Sequence, residues 1–209
     1  MRTRVKICGI TRPEDAVAVA DAGADAVGLV FYPKSSRNVS VAQAREIVAV
    51  LPPFVAAVGL FLDARREVIE SVLETVPLSL LQFHGDECPA DCREFSLPYI
   101  KAVGMSGHAN YRGYADCYQD TQGILLDSHA PGAAGGTGET FDWDCVPQDY
   151  PKPVILAGGL TPDNVATAIQ TARPYGVDLS SGVESAPGIK DAGKIQALMN
   201  EVRRVDCQR

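Results

Sequence analysis

Short apolar runs alternate with amphipathic segments along the whole chain. Residues 5–8, 26–31, 54–61 and 78–83 form the first four runs, and 99–103, 123–127, 154–157 and 176–180 the second four. Each is short, rich in Val, Ile or Leu, and bounded by Gly, Pro, Asp or Ser, as strands buried on both faces are. Helical spacing fills the intervals. A helix over 14–22 follows Thr11-Arg12-Pro13, with the proline suited to a first turn. Ser40 caps a helix over 40–50. Val68, Ile69, Val72, Leu73 and Val76 share one face of a helix over 65–76 that stops before Pro77. Thr161-Pro162 opens a helix to Ala172, and 191–205 forms the last one. The helical pattern is weak between the fifth and sixth strands and weaker after the sixth, so short segments are expected there.

Eight strands alternating with helices at a repeat of about 26 residues predict an α/β fold with a parallel sheet. A doubly wound sheet normally carries a Gly-rich dinucleotide turn after its first strand. Here that turn is Cys8-Gly9-Ile10-Thr11, which lacks the fingerprint. The expectation is therefore a closed (βα)8 TIM barrel, one catalytic domain over residues 1–209.

Composition narrows the function classes. The 209 residues suffice for one sizeable core, and no apolar stretch approaches the 18 to 20 or so residues of a membrane span. The first eight residues lack the apolar region of a secretory signal, which predicts a cytoplasmic protein. A formal charge of −7 argues against nucleic acid as a partner, but leaves room for a small phosphorylated ligand held by local donors. In that compartment the six cysteines are expected to be reduced thiols. His84, Cys88 and Cys92 imitate a metal set, but Pro89 falls among them and a fourth ligand is not evident, so no metal is expected.

In a barrel the active site lies at the C-terminal ends of the strands. Those ends carry Lys6-Ile7-Cys8-Gly9, Pro33-Lys34-Ser35-Ser36-Arg37, Gln82-Phe83-His84-Gly85, Leu126-Asp127-Ser128, Ala157-Gly158-Gly159-Leu160 and Asp178-Leu179-Ser180-Ser181-Gly182. Gly158, Gly159, Ser180, Ser181 and Gly182 form the loops after the seventh and eighth strands, where barrels often hold phosphate; a short extra helix is expected from Ser180. Lys6 and Cys8 share a strand face, so the ammonium can lower the thiol pKa and make a base. Asp127 needs a proton to act as an acid, and burial or the neighbouring Asp178 can raise its pKa. Arg37 can pair with a carboxylate. Gln82 and His84 lie at the same rim, and Gly132 to Gly138 reads as a lid or a passive linker.

Together these motifs resemble the phosphoribosylanthranilate isomerase family of tryptophan biosynthesis. The resemblance runs from Val5-Lys6-Ile7-Cys8-Gly9 through Leu81-Gln82-Phe83-His84-Gly85, Gly135-Gly136-Thr137-Gly138 and Phe141-Asp142-Trp143 to Pro187-Gly188-Ile189-Lys190-Asp191. It implies an Amadori rearrangement of N-(5-phosphoribosyl)anthranilate without any cofactor. By that resemblance Asp127 protonates the ribose ring oxygen, Cys8 removes the C2′ proton, Arg37 holds the anthranilate carboxylate and the last two loops hold the phosphate. Lys6, Gln82, His84 and Asp178 complete the substrate site. The related histidine-pathway isomerase would place a carboxylate at position 8 and a second phosphate loop in the first half. A barrel that only binds phosphosugars would have no reason to keep Cys8, Asp127 and Arg37 together. A hydrolase reading would make Cys8 a covalent nucleophile beside His84. Oligomeric state is left open.

Overall fold

The computed structural model describes residues 2–105, 111–128 and 140–208. The glycine-rich run after the sixth strand, including Gly132 to Gly138, lies outside them. Eight parallel strands close into a barrel in simple sequential order. They are β1 (Arg4–Cys8), β2 (Ala26–Val30), β3 (Ala56–Phe61), β4 (Leu80–Phe83), β5 (Tyr99–Gly104), β6 (Gly123–Asp127), β7 (Val154–Leu156) and β8 (Gly176–Leu179). Closure pairs β1 with β8, and Lys6 sits directly opposite Asp178 in that register. The expected (βα)8 barrel is the fold observed.

The helices are α1 (Pro13–Ala22), α2 (Val41–Ala49), α3 (Arg66–Leu73), α4 (Pro89–Cys92), α5 (Tyr111–Asp116), α6 (Val165–Ala172) and α7 (Ala192–Asp206). Ser40 caps α2 in a reciprocal box with Gln43, and the Asp191 side chain accepts from the Lys194 N–H at the start of α7. Each caps backbone donors that a helix start leaves unpaired. The weak helical pattern around the sixth strand corresponds to α5 and to a single 3-10 turn, Trp143–Cys145.

Three boundaries differ from the sequence pattern, each for a local reason. The apolar run at 54–61 starts too early, because Val55 N–H donates to Pro52 O and turns Phe54 out, 98% exposed. The helix expected from Thr161 begins at Val165, since Thr161 N–H is taken by the Asn164 side chain. After β8 the short helix is a 3-10 turn, Ser181–Val183, followed by an unforeseen hairpin of β9 (Glu184–Ala186) and β10 (Ile189–Lys190). The core is a continuous set of apolar side chains between barrel and helices, including Ile7, Leu29, Phe61, Leu81, Leu126, Leu156 and Leu198. Its interior end toward the strand C-termini is where the polar residues gather.

Candidate active site

One cavity at the C-terminal mouth of the barrel is lined by Cys8, Arg37, Gln82, His84, Asp127, Gly158, Gly159, Asp178, Ser180, Ser181 and Gly182. Every proposed site residue except Lys6 therefore reaches the same space. Lys6 is buried behind the wall, with its Nζ 2.8 Å from Asp178 Oδ2.

Cys8 ends β1 opposite Gly28 of β2. That glycine is required by close approach: a Cβ there would stand 2.7 Å from Cys8 Sγ and 3.0 Å from Lys6 Nζ. Burial pushes the Cys8 thiol up from its ordinary value, and the Lys6 ammonium only partly offsets this. The expected depression by Lys6 is thus present but outweighed. Burial acts downward on Lys6 as well, yet Asp178 and Cys8 together hold its pKa above the usual lysine value, so it stays charged. Asp178 is held up by burial against the pull of Lys6. Its second oxygen, Oδ1, is buried without a hydrogen-bond partner among the described residues, as is Gln82 Oε1. Two acceptors at a cavity wall suit hydroxyl or N–H donors on a ligand.

Asp127 ends β6, and its carbonyl accepts from Met105 N–H in an extension of the β5–β6 ladder. Ser128 Oγ lies 3.4 Å from Asp127 Oδ1, and His84 Nε2 lies 3.7 Å from Oδ2. His84 is oriented from behind by Gln82 Nε2, 3.0 Å from Nδ1. An amide nitrogen can only donate, so Nδ1 accepts and the ring proton sits on Nε2, the nitrogen facing Asp127.

The loops after β7 and β8 meet across the mouth. Gly158 and Gly159 have N–H groups that reach no protein acceptor among the described residues. The first two N–H groups of the Ser181–Val183 turn have no intrahelical acceptor either. These converging donors suit an anion. On the β2–β3 side the wall is apolar, formed by Val30, Tyr32, Leu60 and Leu62. Arg37 borders that wall.

Sequence reasoning missed three charged residues. Glu184 binds Arg37 in a two-point pair, Nε–Oε1 2.8 Å and Nη2–Oε2 2.7 Å. Lys190 Nζ lies 2.7 Å from the same carboxylate. Lys101, fully buried on β5, donates to the Gly85 carbonyl and sits 3.3 Å from Glu87, bracing the loop after β4. Lys190 stands in the Pro187-to-Asp191 motif and Glu184 just past Gly182, but nothing in the sequence shows that they meet Arg37. The imitation metal set is dispersed: His84 lines the cavity, Cys88 is exposed and Cys92 is buried in the core.

Comparison with known proteins gives concordant results. A family model described as N-(5'phosphoribosyl)anthranilate (PRA) isomerase matches residues 5–201. An N-(5'-phosphoribosyl)anthranilate isomerase of Pseudomonas fluorescens is 59% identical, covering 96% of each chain. One from Azotobacter vinelandii is 56% identical over 96% of this chain and 97% of its own. The crystal structure of the phosphoribosyl anthranilate isomerase from Thermotoga maritima superposes with a TM-score of 0.89 at 43% identity, covering 97% of this chain and 99% of that one. Another, in complex with reduced 1-(o-carboxyphenylamino)-1-deoxyribulose 5-phosphate, gives 0.86 at 42% identity, again covering 97% and 99%.

Proposed function

Since the chain belongs to the N-(5′-phosphoribosyl)anthranilate isomerase family, we propose that it runs that family's reaction with Asp127 as general acid and Cys8 as general base. The reaction is the Amadori rearrangement of N-(5-phosphoribosyl)anthranilate to 1-(2-carboxyphenylamino)-1-deoxyribulose 5-phosphate in tryptophan biosynthesis. The observation carrying the residue assignment is the shared cavity, in which the thiol and the carboxyl are the reactive groups between an anion-binding rim and an apolar wall.

Asp127 gives its proton to the ring oxygen as the C1′–O bond breaks and the anilino nitrogen closes a C1′=N iminium. That step creates a cation inside a buried cavity beside Cys8, and a neighbouring cation favours the thiolate. Cys8 then takes the C2′ proton, and the C–H electrons neutralise the iminium to give an enolamine. The ketone forms when the enol hydroxyl loses a proton and C1′ gains one. Asp127 is then short one proton and Cys8 holds one extra, so this tautomerisation restores both groups without net change.

The phosphate sits against the N–H groups of the loops at Gly158–Gly159 and Ser181–Gly182, with Ser180 beside them. The aryl ring packs on Val30, Tyr32, Leu60 and Leu62, which brings its carboxylate to Arg37. Asp178 Oδ1 and Gln82 Oε1 accept from sugar hydroxyls, with Lys6 holding Asp178 in place and His84 facing Asp127. No helix among the described residues is long and apolar enough to cross a membrane. None of the six cysteines, all among the described residues, is in a disulfide, which suits the reducing cytoplasm where this reading puts the enzyme.

The test follows the loss of substrate fluorescence with wild type, Cys8→Ser and Asp127→Asn. Each variant is expected to lose about 10² to 10⁴ in kcat. A wild type inert toward the substrate overturns the assignment, and full activity in Cys8→Ser removes the cysteine base.

A further inference from the structure

We propose that Glu184 and Lys190 are positioning residues that hold Arg37 so that its end-on edge selects for the aryl carboxylate of the substrate. This rests on the reading that Arg37 receives that carboxylate, and adds what makes it selective.

A guanidinium has two edges that can each engage a carboxylate with a pair of parallel hydrogen bonds. Glu184 occupies the edge made by Nε and Nη2. Of the five N–H groups, three remain, and those on Nη1 and Nη2 form the second edge. Arg37 is thereby an oriented fork instead of a mobile charge. Its stem is constrained as well: it passes over Gly9, φ 75°, where any Cβ would collide with Arg37 Cδ.

Glu184 alone would cancel the charge of Arg37. Lys190 restores it, donating to Glu184 Oε1 at 2.7 Å and to Ser180 O at 3.2 Å. The three groups carry one net positive charge, so the subsite stays attractive to an anion. The β9–β10 hairpin that presents them is itself tied down. Lys190 N–H donates to Asp15 of α1 at 3.1 Å, and Lys194 of α7 donates to Glu184 O at 2.7 Å. No other assigned step uses Glu184 or Lys190, yet both are buried, bonded to Arg37 and Ser180 of the cavity wall respectively.

The experiment compares two ligands: the reduced carboxyphenylamino-deoxyribulose phosphate and its phenyl counterpart without the carboxylate. Both are titrated into wild type, Arg37→Ala, Glu184→Gln, Glu184→Asp, Lys190→Met and the Arg37→Ala/Glu184→Gln double variant. Glu184→Gln should lower the preference for the carboxylated ligand roughly tenfold or more, the loss of an oriented charge-assisted bond. Affinity for the phenyl ligand should stay within about threefold, a change too small to signal loss of a charge-assisted bond. Glu184→Asp should recover part of the preference, Lys190→Met should reduce it, and the double variant should match Arg37→Ala alone.

A point-charge view predicts the reverse sign, because removing Glu184 leaves more positive charge. Stronger carboxylate binding in Glu184→Gln, an unchanged preference, or equal weakening of both ligands overturns the positioning role. Should Glu184→Gln fail to fold, Glu184→Asp and Lys190→Met decide in the same assay. If Arg37→Ala itself keeps the wild-type preference, the underlying reading of Arg37 fails. If only Arg37→Ala loses it, the positioning proposal fails while that reading survives.

Discussion

The base side and the acid side of this cavity are built by different rules. Around Cys8 the contacts are short and charged: Lys6–Asp178 at 2.8 Å, Arg37–Glu184 at 2.8 and 2.7 Å, and Lys190–Glu184 at 2.7 Å. Around Asp127 stand a hydroxyl and an imidazole, Ser128 Oγ at 3.4 Å and His84 Nε2 at 3.7 Å. The difference matches the two jobs. A base needs cations nearby to support its deprotonated form in a buried place. An acid clamped to an ammonium at hydrogen-bond distance would surrender its proton permanently. Ser128 and His84 give the acid that the first step consumes a hydroxyl and an imidazole as neighbours.

The sharpest way to break this contrast is to neutralise one carboxylate on each side and measure urea unfolding. Asp178→Asn strands a buried ammonium and should cost about 3 to 5 kcal/mol. Asp127→Asn swaps a carboxylate for an amide of the same shape beside Ser128 and His84 and should cost less, about 1 kcal/mol. Equal costs would erase the distinction. A smaller effect is expected in the pH profile. Cys8 must be deprotonated, and burial raises its pKa in the free enzyme. The sign is therefore a rise with pH: kcat/KM should climb up to about tenfold per pH unit and continue past the ordinary thiol value near 8.5. The limb in kcat should lie lower, since the iminium cation assists in the complex. A limb in kcat/KM well below the ordinary thiol value would contradict the account of burial. The smallest effect belongs to His84→Gln. A partner at 3.7 Å is beyond hydrogen-bond length, so kcat should fall only about two- to fivefold. A loss as large as that of Asp127→Asn would make His84 an equal member of the acid machinery.

The eight strands and the rim were legible because buried parallel strands read as short apolar runs and a barrel dictates which end of each carries chemistry. Local rules erred where a turn overrode an apolar run, as at Pro52-Pro53-Phe54. Cys8 and Lys6 could be paired from alternation along one strand. The partners of these charges could not be read, because Asp178 lies 172 positions from Lys6 and Glu184 lies 147 from Arg37. Lys101 carried no signal at all. A lysine in an apolar run looks like an edge or an error until Glu87 and the Gly85 carbonyl are seen around it.

Those separations give the Lys6–Asp178 pair a consequence in time. It closes the seam where the first strand meets the last, so β1, already beside β2, cannot meet β8 until nearly the whole polypeptide has been made. At a synthesis rate of about 5 to 20 residues per second, Lys6 waits roughly 10 to 30 seconds for Asp178 to appear. During that interval the growing sheet has an open edge at β1. The barrel seam therefore closes only once β8, late in the chain, has been made.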